Sequence, residues 1–231
     1  MIDYHSHILP GMDDGSRSIA ESLQMLEASA LQGITHIAAT SHFYPMENSP
    51  EEFLLRRERA ALQLQEAWHP GLPQVLLGAE VYYFEGISRV EALKSLRIEG
   101  TPLLLLEMPF QPWTNRMVNE VIALNGLPDF TVLLAHIERY LWFQKREVWV
   151  ELLEVGVLMQ SNASFFLHWS TRHKAVHMLK SGQIHLLGSD CHNMESRAPC
   201  LGAALKIIGE SDRQVLERRS RRLAGLEEAV N

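Results

Sequence analysis

The chain has 231 residues, 46% of them hydrophobic, and a formal net charge of −7. That composition excludes a disordered or low-complexity chain, and the negative charge argues against a free-standing nucleic-acid binder, which is normally basic. Two cysteines, Cys191 and Cys200, do not make a disulfide framework, no apolar run approaches a membrane span, and the N-terminus has neither a basic nor an apolar leader region. A single cytoplasmic domain over residues 1–231, with no membrane insertion, is the expectation.

Seven apolar segments of strand length follow one another, at residues 2–4, 34–40, 74–80, 102–107, 130–136, 156–162 and 184–190. Most are near-continuous and apolar, as parallel strands covered on both faces are. Helical periodicity fills the gaps, at 18–33, 51–68, 115–126, 149–156 and 172–182, and Gly33, Gly126, Gly156 and Gly182 mark the stops. Two further helices, 201–209 and 211–229, end the chain. Strand–helix alternation of this kind predicts an α/β barrel or, failing that, a doubly wound sheet. The run "ERRSRR" in the last helix reads as a solvated face beside Glu217, Glu227 and Glu228 rather than a polyanion site.

The chemistry sits at the strand ends. The first ends in His5 and His7, the second at His42, the third at Glu80, the fourth at Glu107, the fifth at His136, and the seventh in Asp190 and His192. Alternate residues of a strand share a face, so His5 and His7 point the same way. In a barrel of parallel strands these ends meet at one mouth. The acidic turn "GMDDG" adds a carboxylate from Asp13 or Asp14. A mixed set of imidazoles and carboxylates without thiolates suits Mn, Fe or Zn better than Ca or Mg. So many ligands exceed the needs of one ion and suit two or three ions sharing bridging carboxylates. With ions bound, the pocket turns positive inside a negative protein and favours a phosphate. The expected reaction is therefore hydrolysis of a phosphate ester by metal-activated hydroxide attacking phosphorus in line. Arg139, three residues past His136, and Arg197, five past His192, are the candidate phosphate clamps, because the guanidinium fork matches phosphate oxygens.

The stretches "DYHSHILPGMDDG", "GAEVYY", "LLLLEMP", "LLAHIERY" and "GSDCHN" together resemble the bacterial metal-dependent protein-tyrosine phosphatases of the polymerase and histidinol phosphatase (PHP) superfamily, encoded beside capsule and exopolysaccharide genes. The resemblance runs from residue 1 to about residue 199, with the motifs in family order. It implies a distorted (β/α)7 barrel holding three metals, usually manganese. It implies His5, His7, Asp14, His42, Glu80, Glu107, His136, Asp190 and His192 as ligands, and so chooses Asp14 over Asp13. Arg139 matches the family arginine that aids catalysis. The implied substrate is phosphotyrosine on a partner tyrosine kinase that controls polysaccharide assembly. This chain departs from the family's usual pattern in reading Thr40-Ser41-His42 for Thr-Pro-His, in placing Cys191 where Ala is common, and in lacking an Asn-Pro near its end.

Rival readings stand beside this one. Cys191 to Arg197 spells C-x5-R, the loop of thiol-dependent phosphatases, but it has no glycine, and Asp190 opposes a thiolate. The same metal site could serve a small phosphomonoester such as histidinol phosphate. Aromatics after the strands (Phe43, Tyr44, Tyr82 to Phe84, Phe110, Trp113, Tyr140, Trp142) favour an aryl phosphate if they line the mouth. A non-catalytic, metal-stabilised regulator and an amide or lactone hydrolase complete the alternatives, the last lacking a lysine at a strand end. His173 and His177 have zinc-binding spacing on a helix but no third ligand and read as solvated helix residues; His36, His69, His168 and His185 are given no role in the chemistry, although His168 is nearest the mouth.

Overall fold

The first three helix starts follow local capping chemistry. In the computed structural model, which describes residues 1–226, helix α1 (Ile19–Ala30) begins where the Ser18 side chain accepts the Glu21 N–H. Helix α2 (Pro50–Ala67) opens on a full capping box, Ser49 with Glu52, and has proline in its first turn. Helix α3 (Asn115–Asn125) is capped by Thr114. The remaining helices are α4 (Arg146–Glu154), α5 (Ala163–Leu167), α6 (Arg172–Lys180), α7 (Leu201–Ile207) and α8 (Glu210–Leu223). The five-residue α5 was not expected; it follows its strand too closely for its own helical period to show.

The strands are β1 (Ile2–Ser6), β2 (His36–Ala39), β3 (His42–Phe43), β4 (Gln74–Leu77), β5 (Glu80–Tyr82), β6 (Leu103–Glu107), β7 (Thr131–Leu134), β8 (Leu158–Asn162) and β9 (Leu186–Gly188). All pair in parallel, in the orders β1-β2-β4 and β3-β5-β6-β7-β8-β9. The second and third predicted strands are thus each broken in two, at Thr40-Ser41 and at Gly78-Ala79. At the break the Glu80 N–H is shared between the carbonyls of Thr40 and Ser41, both 3.1 Å away, and the ladder restarts displaced. A parallel bridge from Ser6 to Cys191 joins the end of β1 to the segment after β9. The result is an α/β fold whose parallel sheet curls around an interior.

Alternate strand residues face opposite sides. Leu104 and Leu106 belong to the large cluster where α1, α2 and α3 pack on the sheet, together with Met25, Phe53 and Val121. Leu103 and Leu105 belong to a smaller inner cluster with Ile2, Tyr4, Leu133 and Leu186. Leu223 and Leu226, from the end of α8 and just beyond it, pack against this inner cluster, and the Tyr4 hydroxyl donates to the Ser220 carbonyl at 2.5 Å. Glu107 shares the parity of Leu103 and Leu105, so the inward face that is apolar at one end becomes acidic at the other. The expected terminal helix stops at Leu223 rather than 229, and Glu227 and Glu228 lie outside the described residues. Among the arginines of "ERRSRR", Arg219 and Arg221 donate to the carbonyls of His185 and Leu226.

Candidate metal centre

The nine side chains meet at the carboxyl ends of the strands. His5 Nε2 and His7 Nε2 lie 3.2 Å apart. Both face Glu80 Oε2, at 3.1 and 3.3 Å, and Asp190 Oδ1, each at 3.5 Å. His42 Nδ1 is 3.1 Å from Glu80 Oε2, and its Nε2 is 3.6 Å from Asp14 Oδ1. His192 Nε2 approaches the same Asp14 oxygen at 3.3 Å. His136 Nε2 lies 2.9 Å from Glu80 Oε1 and 3.5 Å from Glu107 Oε1. Three groups have ligand atoms within 4.8 Å of one another: His7-Asp14-His42-His192, His5-His7-Asp190 and His42-Glu80-Glu107.

Backbone bonds bring these residues together. The Asp190 N–H donates to the His5 carbonyl at 2.8 Å, and the His7 N–H donates to the Cys191 carbonyl at 2.9 Å. The first and last strand ends are thereby stitched side by side. His136 and Asp190 both adopt positive φ, 32° and 54°. A left-handed non-glycine residue is costly, and two of them at strand ends mark a place where side-chain direction has overridden backbone preference.

The turn that sequence left open resolves into two roles. Asp13 Oδ2 accepts from His7 Nδ1 and from the His42 N–H, each at 2.8 Å, while Oδ1 accepts the Gly15 N–H at 2.9 Å. Asp14 instead turns its carboxylate to His42, His192 and Arg197, and is 66% exposed, so it faces the cleft. Gly15 makes the turn possible, because a Cβ there would fall 2.3 Å from the His7 carbonyl oxygen.

Ring tautomers follow from the outer contacts. With an acceptor at Nδ1 (Gln160 Oε1 for His5 at 3.2 Å, Asp13 for His7, the Asp190 carbonyl for His192 at 3.0 Å), each ring in its neutral form carries its proton there and turns the Nε2 lone pair inward. His42 Nδ1, His136 Nδ1 and His192 Nε2 are buried with no hydrogen-bond partner among the described residues. Buried ring nitrogens gathered around carboxylate oxygens call for a positive centre, and nitrogen–oxygen donors of this kind fit Mn, Fe or Zn.

Protonation states express the same demand. Burial works against charge on His7, yet hydrogen bonds to Asp13, Asp190 and Glu80 hold its pKa well above the usual value. Burial likewise lowers His136, but Glu107 and Glu80 lift it to about 9. Burial would raise the carboxyl pKa values of Glu80 and Asp190, while the neighbouring histidines, His5 foremost, hold both well below the ordinary range. His192 falls to about 4, through burial and then the charge on His7. Protons on His7 and His136 thus supply positive charge that divalent cations would also supply.

Both candidate arginines reach this cluster. Arg139 Nη2 lies 2.6 Å from Asp190 Oδ2, and Arg197 Nη2 lies 2.7 Å from Asp190 Oδ1. They remain 39% and 36% exposed, so part of each fork is open to solvent beside the centre. Of the aromatics, Tyr44 stacks on His42 with centroids 5.1 Å apart, Tyr82 stands beside Tyr44, and Phe110 stacks on His136 at 5.9 Å. Phe43, Trp113 and Tyr140 are buried and belong to the core instead, and Trp142 projects into solvent. His168, His173 and His177 are exposed and join none of the three groups. A cleft of about 320 Å³, lined by Asp13, Asp14, His42, Tyr44, Glu47 and Arg56 among others, opens beside the centre.

Cys191 is fully buried, and burial, followed by the charge of Asp3, pushes its thiol pKa well above the usual value. The C-x5-R stretch therefore offers no thiolate. Sequence reading weighed Asp13 only as an alternative ligand, not as the partner behind His7, and missed Gln160 and Asn162 behind His5 and Asp190. The one available signal was the polar pair in "MQSN", alternate residues of an otherwise apolar strand.

Comparison with known proteins places these features. Among curated relatives, the tyrosine-protein phosphatase CpsB of Streptococcus agalactiae is 32% identical, covering 90% of this chain and 89% of its own. CpsB of Streptococcus pneumoniae is 30% identical over 91% and 90%, and the tyrosine-protein phosphatase YwqE of Bacillus subtilis 30% over 85% and 79%. A crystal structure from work describing YwqE and the pneumococcal CpsB as unique metal-dependent tyrosine phosphatases matches with a TM-score of 0.80. It covers 99% of this chain and 96% of the other at 24% identity, a likeness of fold. The dihydropyrimidinase of Brevibacillus agri shares the fold more distantly, at TM-score 0.57 and 13% identity over 97% of this chain and 70% of its own. The family model for capsular polysaccharide synthesis proteins CpsB/CapC matches residues 1–221, and the chain belongs to that family.

Proposed function

We propose that this protein is a metal-dependent phosphatase that removes phosphate from tyrosine on a protein, a tyrosine kinase of polysaccharide assembly being the expected partner. The observation that carries the reading is the convergence of nine nitrogen- and oxygen-bearing side chains with two arginines at one mouth, in a chain whose curated relatives are named tyrosine-protein phosphatases. His5, His7, Asp14, His42, Glu80, Glu107, His136, Asp190 and His192 would hold two or three divalent ions, with Mn preferred and Fe or Zn accepted. The curled sheet that carries them is read as a distorted (β/α)7 barrel, each broken strand pair counting once. The cytoplasm suits a reduced, buried thiol such as Cys191.

Bound divalent ions supply Lewis-acid polarisation of phosphoryl oxygens and lower the pKa of water toward neutrality. The chain supplies the rest. Arg139 and Arg197 keep exposed N–H donors beside the centre and bind the phosphoryl oxygens. Their contact with Asp190 holds both forks at the centre before substrate arrives, which lowers the ordering cost. Tyr44, Tyr82 and Phe110 flank the centre and receive a flat ring, the property that separates an aryl phosphate from an aliphatic one.

The test is metal content of the purified protein paired with turnover of a phosphotyrosine peptide, histidinol phosphate and mononucleotides. Expected are two or three ions per chain, activity lost on chelation and restored by Mn²⁺, and preference for the peptide. One ion or none sinks the metal-centre reading, and equal turnover of the three substrates sinks the tyrosine assignment.

A further inference from the structure

The sixth predicted strand, β8, carries none of the nine candidate ligands, yet two of its buried side chains reach the site. Gln160 Oε1 lies 2.6 Å from the His136 backbone nitrogen and 3.2 Å from His5 Nδ1. Gln160 Nε2 lies 3.0 Å from Asn162 Oδ1, and Asn162 Nδ2 lies 2.8 Å from Asp190 Oδ2. Gln160 is fully buried and Asn162 3% exposed.

One fixed donor sets the direction of the whole chain. A backbone N–H can only donate, so the Gln160 atom facing His136 must be its oxygen. The same oxygen faces His5 Nδ1, which must then carry the ring proton. The Gln160 amide nitrogen donates to Asn162, whose facing atom must be oxygen, and this leaves the Asn162 nitrogen to donate to Asp190. Every hydrogen bond thus runs from His5 towards Asp190. The His5 Nε2 lone pair is left facing Glu80 and His7, and Asp190 Oδ2 accepts from Asn162 beside the Arg139 guanidinium, while Oδ1 faces the imidazoles and Arg197.

We propose that Gln160 and Asn162 are positioning residues: a directional amide relay, on the strand that provides no ligand, that fixes the His5 ring and the Asp190 carboxylate for metal binding. Packing leaves the relay one place to sit. Gly188 on β9 lies against it, and a Cβ there would fall 2.4 Å from His5 Cβ and 2.9 Å from Gln160 Nε2. Outer partners of metal-binding histidines set the tautomer and tune affinity in this way. The inference rests on the metal-centre reading above.

Two measurements test it. Long-range ¹H–¹⁵N NMR of the Zn²⁺-loaded wild-type protein reads the His5 tautomer without any substitution, and a proton on Nδ1 is expected. A proton on Nε2 overturns the relay. Mn²⁺ titration calorimetry then compares wild type with Gln160→Met, which removes both the acceptor for His5 and the donor to Asn162. Gln160→Met is expected to weaken binding at one site by about 10–100-fold. Superimposable isotherms for wild type and a folded Gln160→Met overturn the relay while leaving the metal centre standing. If Gln160→Met does not fold, the wild-type tautomer decides. Wild-type protein that binds neither Mn²⁺ nor Zn²⁺ removes the metal-centre reading, and the relay with it.

Discussion

Adjacent aspartates with the same chemistry end up with different work in this protein. Asp13 is spent on orienting His7 and capturing the His42 and Gly15 N–H groups, whereas Asp14 faces the cleft. No property of the string "DDG" distinguishes them; the backbone turn does. Residue identity was enough to nominate the other eight candidate ligands, because each stands at or just past the end of an apolar run. Cys191 shows the reverse, a residue whose motif misleads. Its thiol is buried and protonated, so Cys191→Ser should keep kcat/KM on a phosphotyrosine peptide within about threefold, at a stability cost of roughly 1–2 kcal/mol for burying a hydroxyl. A hundredfold loss in a folded variant would restore the thiol mechanism.

At the scale of elements, the acidic turn is the tightest part of the site. Gly15→Ala would drive a Cβ to 2.3 Å from the His7 carbonyl oxygen, with the His7 Cβ only 2.4 Å away. The turn must then move, at an expected cost of about 1–3 kcal/mol in urea unfolding and at least tenfold in kcat/KM; unchanged activity would show that the turn does not set ligand geometry. The pair β8–β9 carries a pH dependence of its own. His185 Nδ1 accepts the Met159 N–H at 3.1 Å, and burial, aided by Arg219, lowers its pKa to about 4. A depressed histidine contributes stability that is present above the unfolded value near 6.5 and lost as pH falls from there through about 4. His185→Asn places an oxygen near the same N–H and removes the titration. Urea midpoints of the two proteins, measured metal-free, should therefore diverge below pH 6.5, the wild type losing on the order of 2 kcal/mol more by pH 4; parallel curves would refute this. Helix and strand order were readable from period and glycine stops. The two strand breaks were not, since a shift in pairing partner leaves the apolar run continuous.

For the whole molecule, the parallel sheet curls so that one inward face changes from apolar at the α8 end to acidic and imidazole-rich at the other. Concentrating four carboxylates there is costly without cations, which protons on His7 and His136 supply in part. Metal should therefore stabilise the fold as well as enable turnover. Ligand linkage gives about 2.7 kcal/mol at a hundredfold excess over Kd, or roughly 5–10 °C in Tm for a chain of this size. Chelation should lower Tm by at least that amount, and Mn²⁺ should restore it; a Tm indifferent to chelation would mean that the centre holds no ion in the folded protein. The sequence by itself determined the fold class and which residue types stand at the strand ends, because periodicity and position along a strand are one-dimensional properties. Which aspartate faces the cleft, which aromatics line the mouth rather than the core, and that Gln160 and Asn162 meet His5 and Asp190 emerged only from the folded chain. Those outcomes depend on which groups meet across the curled sheet, and contacts between residues as far apart as His5 and Gln160 leave no periodic trace in the chain.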